Sequence, residues 1–418
     1  MYIRLFRETS LKDRPAVGGK GASLGELTQA GINIPPGFTI TTEAFEQFMA
    51  SIDSDGAIRR LIAALDPNEL TPLAAATAAV REQIEKAPLP REIERAIAAA
   101  YAALTSDDAF TNDDTLTTND PNAPVAEMSS QHQGLSERIH QRPHPRSPTP
   151  VAVRSSATSE DSAAASFAGL QETFLWVRGA ESVIRSVRSC WASLYSAESV
   201  SYRLRLKLPE QRVSMGVVVQ RMVESLCSGV MFTRSPTTGD RSVIAIEGSW
   251  GLGSCIVSGE VTPDKFVVSK VTGEISHRTV SEKLTQHTPQ HGTSGVRVEE
   301  VPADRQSAPC LTDQAIIALA ELGKQIERHY GTPQDIEWAI GTEESAGRNV
   351  KADLIVSATA TNTTMANDPN ALRQQRIFIL QSRPETVWAN REAQPVATPK
   401  PRAFDHVFAL LSGRDRSP

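Results

Sequence analysis

The stretch VAVRSSATSEDSAAASFAGLQETF (residues 151–174) begins with a short apolar run that ends at Arg154. Small polar and alanine side chains follow this run and surround Phe167. The apolar run predicts a buried strand, and small residues allow the chain after it to fold closely over a phosphate group. Arg154 carries a guanidinium group, which binds phosphate through two parallel hydrogen bonds. A serine-rich turn whose arginine forms a salt bridge is the alternative for this segment taken alone.

A glycine-rich segment, GGKGAS (residues 18–23), lies upstream of this stretch. It predicts a loop, followed by a helix from about Ala22 that stops near Gly31. Backbone N–H groups in such a loop and at the start of a helix attract anions, and Lys20 adds a positive charge. The spacing differs from that of the P-loop, which needs GxxxxGK[ST]. A turn with a surface lysine is the alternative for this segment.

Two predicted strands downstream carry charged and amide side chains. In DIEWAI, Asp335 and Glu337 share a face, because side chains alternate along a strand. In IFILQSR, Gln381 and Arg383 share a face for the same reason. Two neighbouring carboxylates favour a cation between them, and a Mg²⁺ bound to nucleotide phosphates is such a cation. An exposed acidic strand face is the alternative for the first of these strands.

The joint presence and order of these segments are more specific than any one of them. The chain resembles the N-terminal ATP-binding region of the phosphoenolpyruvate synthase and pyruvate phosphate dikinase family, which includes rifampin phosphotransferase. The resemblance extends from about Ala16 to Val387. It is carried by GGKGASLGELTQAGINIPPGFTITTEAF, VAVRSSATSEDSAAASFAGLQETFL, VVVQRMV, SGVMFTRSPTTGD, EGSWGLG, TPDKFVV, HYGTPQDIEWAI and ILQSRPETVW. It implies an α/β (α+β) fold of the ATP-grasp type, in which two or three lobes close on ATP.

The same resemblance implies the ligands and the residues that bind them. The implied ATP contacts are Lys20, Arg154, Gly169, Thr173, Gln220, Glu337, Gln381 and Arg383. Among them, Glu337 and Gln381 would also hold Mg²⁺, and Gln220 would lie near the adenine or the ribose. Lys20, Arg154 and Arg383 are the implied catalytic residues. The loop at 166–169 would cover the phosphates.

Composition predicts how the chain is divided. Residues 105–150 are dominated by Asp, Asn, Thr, Ser and Pro and have no hydrophobic period, which predicts a disordered insertion. A second polar insertion is expected at 341–374. The predicted parts are an N-terminal lobe (1–104), this disordered insertion (105–150), a central lobe (151–270), a C-terminal lobe with the Mg²⁺-binding strands (271–388), and a linker and tail (389–418).

Charge and cysteine content exclude several classes of protein. The 418 residues have a formal net charge of −6, which argues against a general nucleic-acid binder. No apolar run approaches the length of ~18 residues that a membrane span needs, so no membrane association is expected. The 4 cysteines lie far apart and form no CxxC pair, which fits a reducing cytoplasm.

The sequence context of the histidines leads to the prediction of a partner protein. Full-length members of the family pass phosphate from ATP to a histidine in a Gly-rich, Thr-Ser-His type motif, and none of the 8 histidines here has that context. The resemblance therefore implies a stand-alone ATP-binding subunit, as in phenylphosphate synthase. It would phosphorylate a histidine on a separate protein, which would then phosphorylate pyruvate or a hydroxylated acceptor. A degenerate or regulatory ATP-binding protein and a truncated phosphoenolpyruvate synthase are the alternatives.

Overall fold

The computed structural model describes residues 1–106, 148–158, 161–162, 165–166, 172–210, 213–290, 293–342, 355–356 and 375–389. Within these ranges, no helix combines the length and the apolar character that crossing a membrane requires. The larger parts of the two predicted insertions, and the whole tail after residue 389, lie outside the described residues.

Helices and strands are interleaved along the chain. The helices are α1 Arg14–Gln29, α2 Thr42–Ile52, α3 Ala57–Ala63, α4 Leu70–Lys86, α5 Arg91–Thr105, α6 Ala180–Ser193, α7 Ala197–Arg205, α8 Ser254–Val257, α9 Ala303–Gln306 and α10 Asp313–Tyr330. The strands are β1 Ile3–Leu5, β2 Gly37–Ile40, β3 Val151–Ala157, β4 Asp161–Ser162, β5 Ala165–Ser166, β6 Thr173–Val177, β7 Met215–Arg221, β8 Ser225–Phe232, β9 Val243–Trp250, β10 Asp264–Ser269, β11 Ile275–Thr279, β12 Thr285–Pro289, β13 Val296–Glu300, β14 Gln334–Thr342, β15 Ile355–Val356 and β16 Gln375–Pro384.

The first sheet has five strands in the order β1-β2-β7-β3-β6, and every neighbouring pair is antiparallel. Its core is rich in aromatic side chains from α2 and α6. Phe48 stacks on Trp191 with ring centroids 5.1 Å apart, and Phe45 contacts the same indole edge-on. Burying such large side chains supplies most of the stability of this half of the molecule.

The second sheet has seven strands in the order β11-β10-β9-β8-β14-β16-β15. The buried face of α10 packs against it through Ile316, Leu319 and Ile326. This helix is capped as its sequence predicts, because the Thr312 side chain accepts a hydrogen bond from the N–H of Ala315. The strands β12 and β13 form a separate hairpin.

Helix α1 connects the two sheets. Its Ser23 hydroxyl donates to the carbonyl of Ser382 at 2.7 Å, and beyond the helix the Asn33 amide donates to the carbonyl of Ile377 at 2.6 Å. The helix is kinked at Gly18, where φ is 72° and a Cβ atom would lie 1.8 Å from the carbonyl oxygen of Ser156. Only glycine fits this position. The predicted loop before Ala22 is therefore wrong, because helical backbone resumes after Gly18 and includes Lys20.

Two sequence patterns relate to the structure in different ways. Residues 181–204 have a helical pattern and form two helices, α6 and α7, separated by a turn. The polar region 280–310 contains the β12–β13 hairpin. The chain passes from the first sheet to the second between Arg221 and Ser225.

Candidate functional site

Arg154 joins the two sheets. It lies on β3 of the first sheet, only 8% exposed, and its side-chain hydrogen bonds go to the second sheet. Nη1 donates to the Leu380 carbonyl at 3.1 Å, while Nη2 donates to Glu337 Oε2 at 2.7 Å and to Gln381 Oε1 at 2.6 Å. Its buried Nε has no hydrogen-bond partner among the described residues. The guanidinium therefore has binding capacity left for a ligand.

The partners of Arg154 are brought together by strand register. Antiparallel pairing of β14 with β16 places Glu337 opposite Gln381 and Asp335 opposite Arg383. The register shifts after Glu337, so a β-bulge lies directly at the site. Bulges re-aim side chains and are over-represented beside active sites. The alternation of side chains predicted that Asp335 shares a face with Glu337, and Gln381 with Arg383. The strand register places these two pairs side by side, in one row across the two strands.

Asp335 is the second carboxylate in this row, beside Glu337. Its Oδ2 lies 3.5 Å from the Nε of Arg383, while its buried Oδ1 has no hydrogen-bond partner in the described parts of the chain. Burial raises the pKa of Asp335 from 3.8 to about 6; Glu385 adds to this effect and Arg383 opposes it. A carboxylate held out of water favours a cationic ligand that restores its solvation.

A cavity of about 360 Å³ lies between the sheets beside Arg154. One part of its wall is polar and carries Arg154, Thr173, Gln220 and Glu337. The apolar part of its wall is formed by Leu175, Met222, Val223, Leu252, Val257, Trp338 and Leu380. The buried Nε2 of Gln220 has no hydrogen-bond partner in the described residues. This size and this division suit a ligand that combines an apolar ring with an anionic group.

The predicted site residues have different positions relative to this cavity. Gln381 belongs to the site through its hydrogen bond to Arg154. Lys20 on α1 and Arg383 on β16 are outside the described cavity lining. Gly169 lies outside the described residues. The predicted residues that line the cavity directly are Arg154, Thr173, Gln220 and Glu337.

Sequence reasoning missed the apolar wall and several polar residues of the lining, among them Ser254. Met222 and Val223 follow β7 where the chain changes sheets, and Leu252 and Ser254 follow β9 in the segment GLGS. The signal for both was present, because each segment is a short apolar or glycine-containing turn directly after a strand. Such turns at strand ends are common ligand-binding positions.

The oxygen ligands fit Mg²⁺. Glu337 offers a carboxylate that is 34% exposed, and Gln381 offers an amide oxygen next to it. In the described parts of the chain, no three His, Cys, Asp or Glu side chains cluster closely enough to hold a metal by themselves. Mg²⁺ commonly takes one or two carboxylates and completes its shell with phosphate and water. The residues present therefore suit a Mg²⁺ that arrives with a phosphorylated ligand.

Comparison with known proteins identifies the family of the chain. The model of the family described as "Pyruvate phosphate dikinase, AMP/ATP-binding domain" matches residues 14–114 and 116–403. The chain is 40% identical over 339 residues to a probable phosphoenolpyruvate synthase of Methanothermobacter thermautotrophicus, covering 81% of this chain and 44% of that protein. It is 39% identical over 357 residues to the phosphoenolpyruvate synthase of Pyrococcus furiosus, covering 82% of this chain and 42% of that protein.

A relative whose name differs from that of the two synthases matches the chain as well. Over 326 residues the chain is 37% identical to a rifampicin phosphotransferase of a Streptomyces species, covering 78% of this chain and 32% of that protein. The chain spans less than half the length of these relatives. The matches confirm the predicted family resemblance and, with the mixed helices and antiparallel sheets, the predicted ATP-grasp class.

Proposed function

The chain belongs to the family of the pyruvate phosphate dikinase AMP/ATP-binding domain, and on that premise we propose that it binds ATP with Mg²⁺ between its two sheets and donates a phosphoryl group from it. The observation that carries this proposal is Arg154. A cation buried at the seam of two sheets, with an unpartnered Nε, beside a cavity, is equipped to hold a phosphate chain.

Binding requires an exchange of partners at Arg154. Without ligand, its charge is balanced by Glu337 and by the amide oxygen of Gln381. A triphosphate offers stronger acceptors, so the guanidinium turns to phosphate oxygens and releases both side chains. Glu337 and Gln381 are then the residues that would hold Mg²⁺, whose charge offsets that of the phosphates. Phosphoryl transfer needs mainly this positioning and neutralisation of charge.

The adenine occupies the apolar part of the cavity. Met222 and Val223 provide apolar surfaces for a flat ring. The unpartnered Nε2 of Gln220 is a donor near this region and suits an acceptor on the base or the sugar. These contacts place the nucleoside and leave the phosphate chain pointing to Arg154.

A pyrophosphoryl group goes first to a histidine on a separate protein. An imidazole nitrogen of this histidine attacks the β-phosphorus, the bond to the oxygen shared with the α-phosphate breaks, and AMP leaves. Water then attacks the terminal phosphorus of the pyrophosphoryl-histidine and releases inorganic phosphate, and the remaining phosphoryl group passes to pyruvate or a hydroxylated acceptor. One observation supports an external histidine: His277, His287 and His329 are described, and none of them lines the cavity.

The test follows ATP, AMP and acid-labile protein phosphate together. The purified chain is incubated with Mg²⁺ and labelled ATP, alone and with each protein encoded beside it. The proposal expects ATP binding in every case, and AMP with label on the second protein only when that protein is present. AMP and phosphorylated product from the chain alone would contradict the need for a partner. Binding of ATP without AMP in any mixture would contradict phosphoryl transfer and favour a regulatory ATP-binding protein.

A further inference from the structure

Three polar side chains form a chain of hydrogen bonds at the apolar part of the cavity. Ser254, which lines the cavity, has its hydroxyl 2.7 Å from Nδ1 of His287. Nε2 of the same ring lies 3.0 Å from Oε2 of Glu260. None of the three was singled out from the sequence, and none belongs to the cluster around Arg154.

The position of Ser254 is fixed by backbone contacts as well. The N–H of Leu252 donates to the carbonyl of His287 at 2.9 Å, so the hairpin strand β12 holds the turn that follows β9. Gly251 makes this close approach possible, because its φ is 72° and a Cβ atom there would lie 2.4 Å from the His287 carbonyl oxygen. Ser254 is therefore held rigidly before any ligand binds.

Hydrogen-bond chemistry determines which way this chain of contacts runs. The pKa of Glu260 is lowered by its hydrogen bonds to Ser258 and His287, so the group is a carboxylate, which only accepts. With its hydrogen on Nε2, the neutral tautomer of His287 donates to Glu260 and leaves Nδ1 as an acceptor. In this tautomer the Ser254 hydroxyl donates to Nδ1, and its oxygen presents lone pairs to the cavity. Ser254 then offers the cavity an acceptor and no donor.

We propose that Ser254 accepts a hydrogen bond from a ribose hydroxyl of bound ATP, and that His287 and Glu260 hold it in this accepting orientation. The inference rests on the proposed function, since it needs ATP in the cavity. Phosphates belong at Arg154 and the base against Met222 and Val223, so the sugar lies between them. The hydrogen-bond donors of adenosine are its sugar hydroxyls and the amino group of adenine. In this proposal the apolar walls position the adenine ring, and Ser254 contacts the sugar.

Equilibrium binding to the full chain with Mg²⁺ tests this contact. The probes are ATP, 2′-deoxy-ATP, 3′-deoxy-ATP and inosine triphosphate, which lacks the amino group. The wild-type protein should bind ATP about 3- to 10-fold more tightly than one of the two deoxynucleotides, as expected for one neutral hydrogen bond. Ser254→Ala should abolish this preference and leave the affinity for that deoxynucleotide unchanged. A preference that survives in Ser254→Ala would overturn the proposal.

A matched serine provides the control. Ser225 lines the same cavity, but its hydroxyl donates to the carbonyl of Val223 at 3.2 Å. Ser225→Ala should leave the ratio of the ATP and deoxy-ATP affinities unchanged. If Ser254→Ala instead removes discrimination against inosine triphosphate, the contact is to the base and the ribose assignment is wrong. If the wild-type chain binds no ATP, the proposed function fails and this inference fails with it.

His287 is tested as a positioning residue through the same affinity ratio. His287→Asn keeps an acceptor close to the place of Nδ1 and should retain the ribose preference. His287→Ala removes that acceptor and should reduce the preference to less than about twofold, since the Ser254 hydroxyl can then rotate. A purely structural role would weaken all four nucleotides equally in both variants, and that result would contradict the positioning role.

Discussion

The two sheets contribute opposite chemistry to the seam between them. The five-stranded sheet provides hydrogen-bond donors, with Arg154 and the unpartnered amide of Gln220 facing the cavity. The seven-stranded sheet provides acceptors, chiefly Glu337 and Gln381. Without ligand, Arg154 pairs with Glu337 and Gln381 across the seam, while the Gln220 amide has no hydrogen-bond partner in the described residues. Under the proposed function, a nucleotide with its metal would replace the contacts of Arg154, and binding would then change how the two sheets sit together.

The half of the molecule built on the five-stranded sheet (the first lobe) and the half built on the seven-stranded sheet (the second lobe) are also stabilised in different ways. The first holds Arg203 against Glu210, with side chains only 1% and 3% exposed, beside its aromatic core. The second holds Lys283 against Asp264, and both side chains are completely buried. Asp264 also accepts hydrogen bonds from the backbone N–H groups of Ser281 and Cys310. Each lobe thus has its own buried ion pair.

The largest expected effect comes from breaking the buried pair of the second lobe. Lys283→Ala leaves the Asp264 carboxylate without its cation and should lower the free energy of unfolding by about 3–5 kcal/mol. Lys265→Ala is the control, because this lysine follows Asp264 on β10 but is 53% exposed where it pairs with Glu247. It should cost less than about 1 kcal/mol. Chemical denaturation measures both, and equal losses would show that the pair at Lys283 has no special role.

Arg154→Lys tests the donor side of the seam. Lysine keeps the positive charge but cannot reach Leu380, Glu337 and Gln381 at once or grip a phosphate with two parallel bonds. ATP affinity should fall about 100-fold, the equivalent of losing strong charge-assisted hydrogen bonds. Arg188→Lys is the control, since Arg188 donates to the carbonyl of Ala87 on the far side of the same lobe. Unchanged ATP affinity in Arg154→Lys would place the phosphates elsewhere.

Glu337→Gln tests the acceptor side. The substitution keeps the shape of the side chain but removes the charge that would face Mg²⁺. With Mg²⁺ present, ATP affinity should fall about 10-fold. Without Mg²⁺ it should be equal to or higher than that of the wild type, because Arg154 has lost its competing anion. Glu321→Gln, on the surface of α10 beside Lys324, should change neither value. A loss that is the same with and without Mg²⁺ would contradict metal binding at Glu337.

The smallest expected effect is the pH dependence at Asp335. Its pKa is about 6 in the folded chain against 3.8 in the unfolded chain, so folding disfavours the ionised carboxylate. The wild type therefore loses stability as pH rises from about 4 to about 6. Asp335→Asn should be more stable by on the order of 1 kcal/mol above pH 6 and equal below pH 3.8. Unfolding measured across this range checks the sign. An advantage of the variant at low pH would contradict it.

The sequence predicted strand faces and secondary-structure elements better than it predicted the partners of individual side chains. Alternation along two strands correctly paired Asp335 with Glu337 and Gln381 with Arg383, because period two is a local property. It did not predict that Glu337 lies opposite Gln381, or that Arg154 reaches both from another sheet. The two contacts of Arg154 join residues that are 183 and 227 positions apart along the chain. Their geometry follows from register and from the packing of two sheets, which no local pattern contains.

Other features depended on tertiary context in the same way. The kink of α1 at Gly18 exists because Ser156 lies against the helix, so the glycine-rich segment alone predicted a loop. The chain from Ser254 through His287 to Glu260 is assembled when a hairpin meets the turn after β9. From sequence, a histidine in a polar region gave no sign of that contact. Lys283 was likewise indistinguishable from a surface lysine.

The central claim is that ATP and its metal replace the contacts that Arg154 makes across the seam. A crystal structure of the chain with Mg²⁺ and a non-hydrolysable ATP analogue tests it most directly. The account predicts phosphate oxygens within hydrogen-bond distance of the Arg154 guanidinium, and the metal bound by Glu337 and Gln381. A nucleotide bound elsewhere, or bound in the cavity while Arg154 still bridges to Glu337 and Gln381, would contradict it.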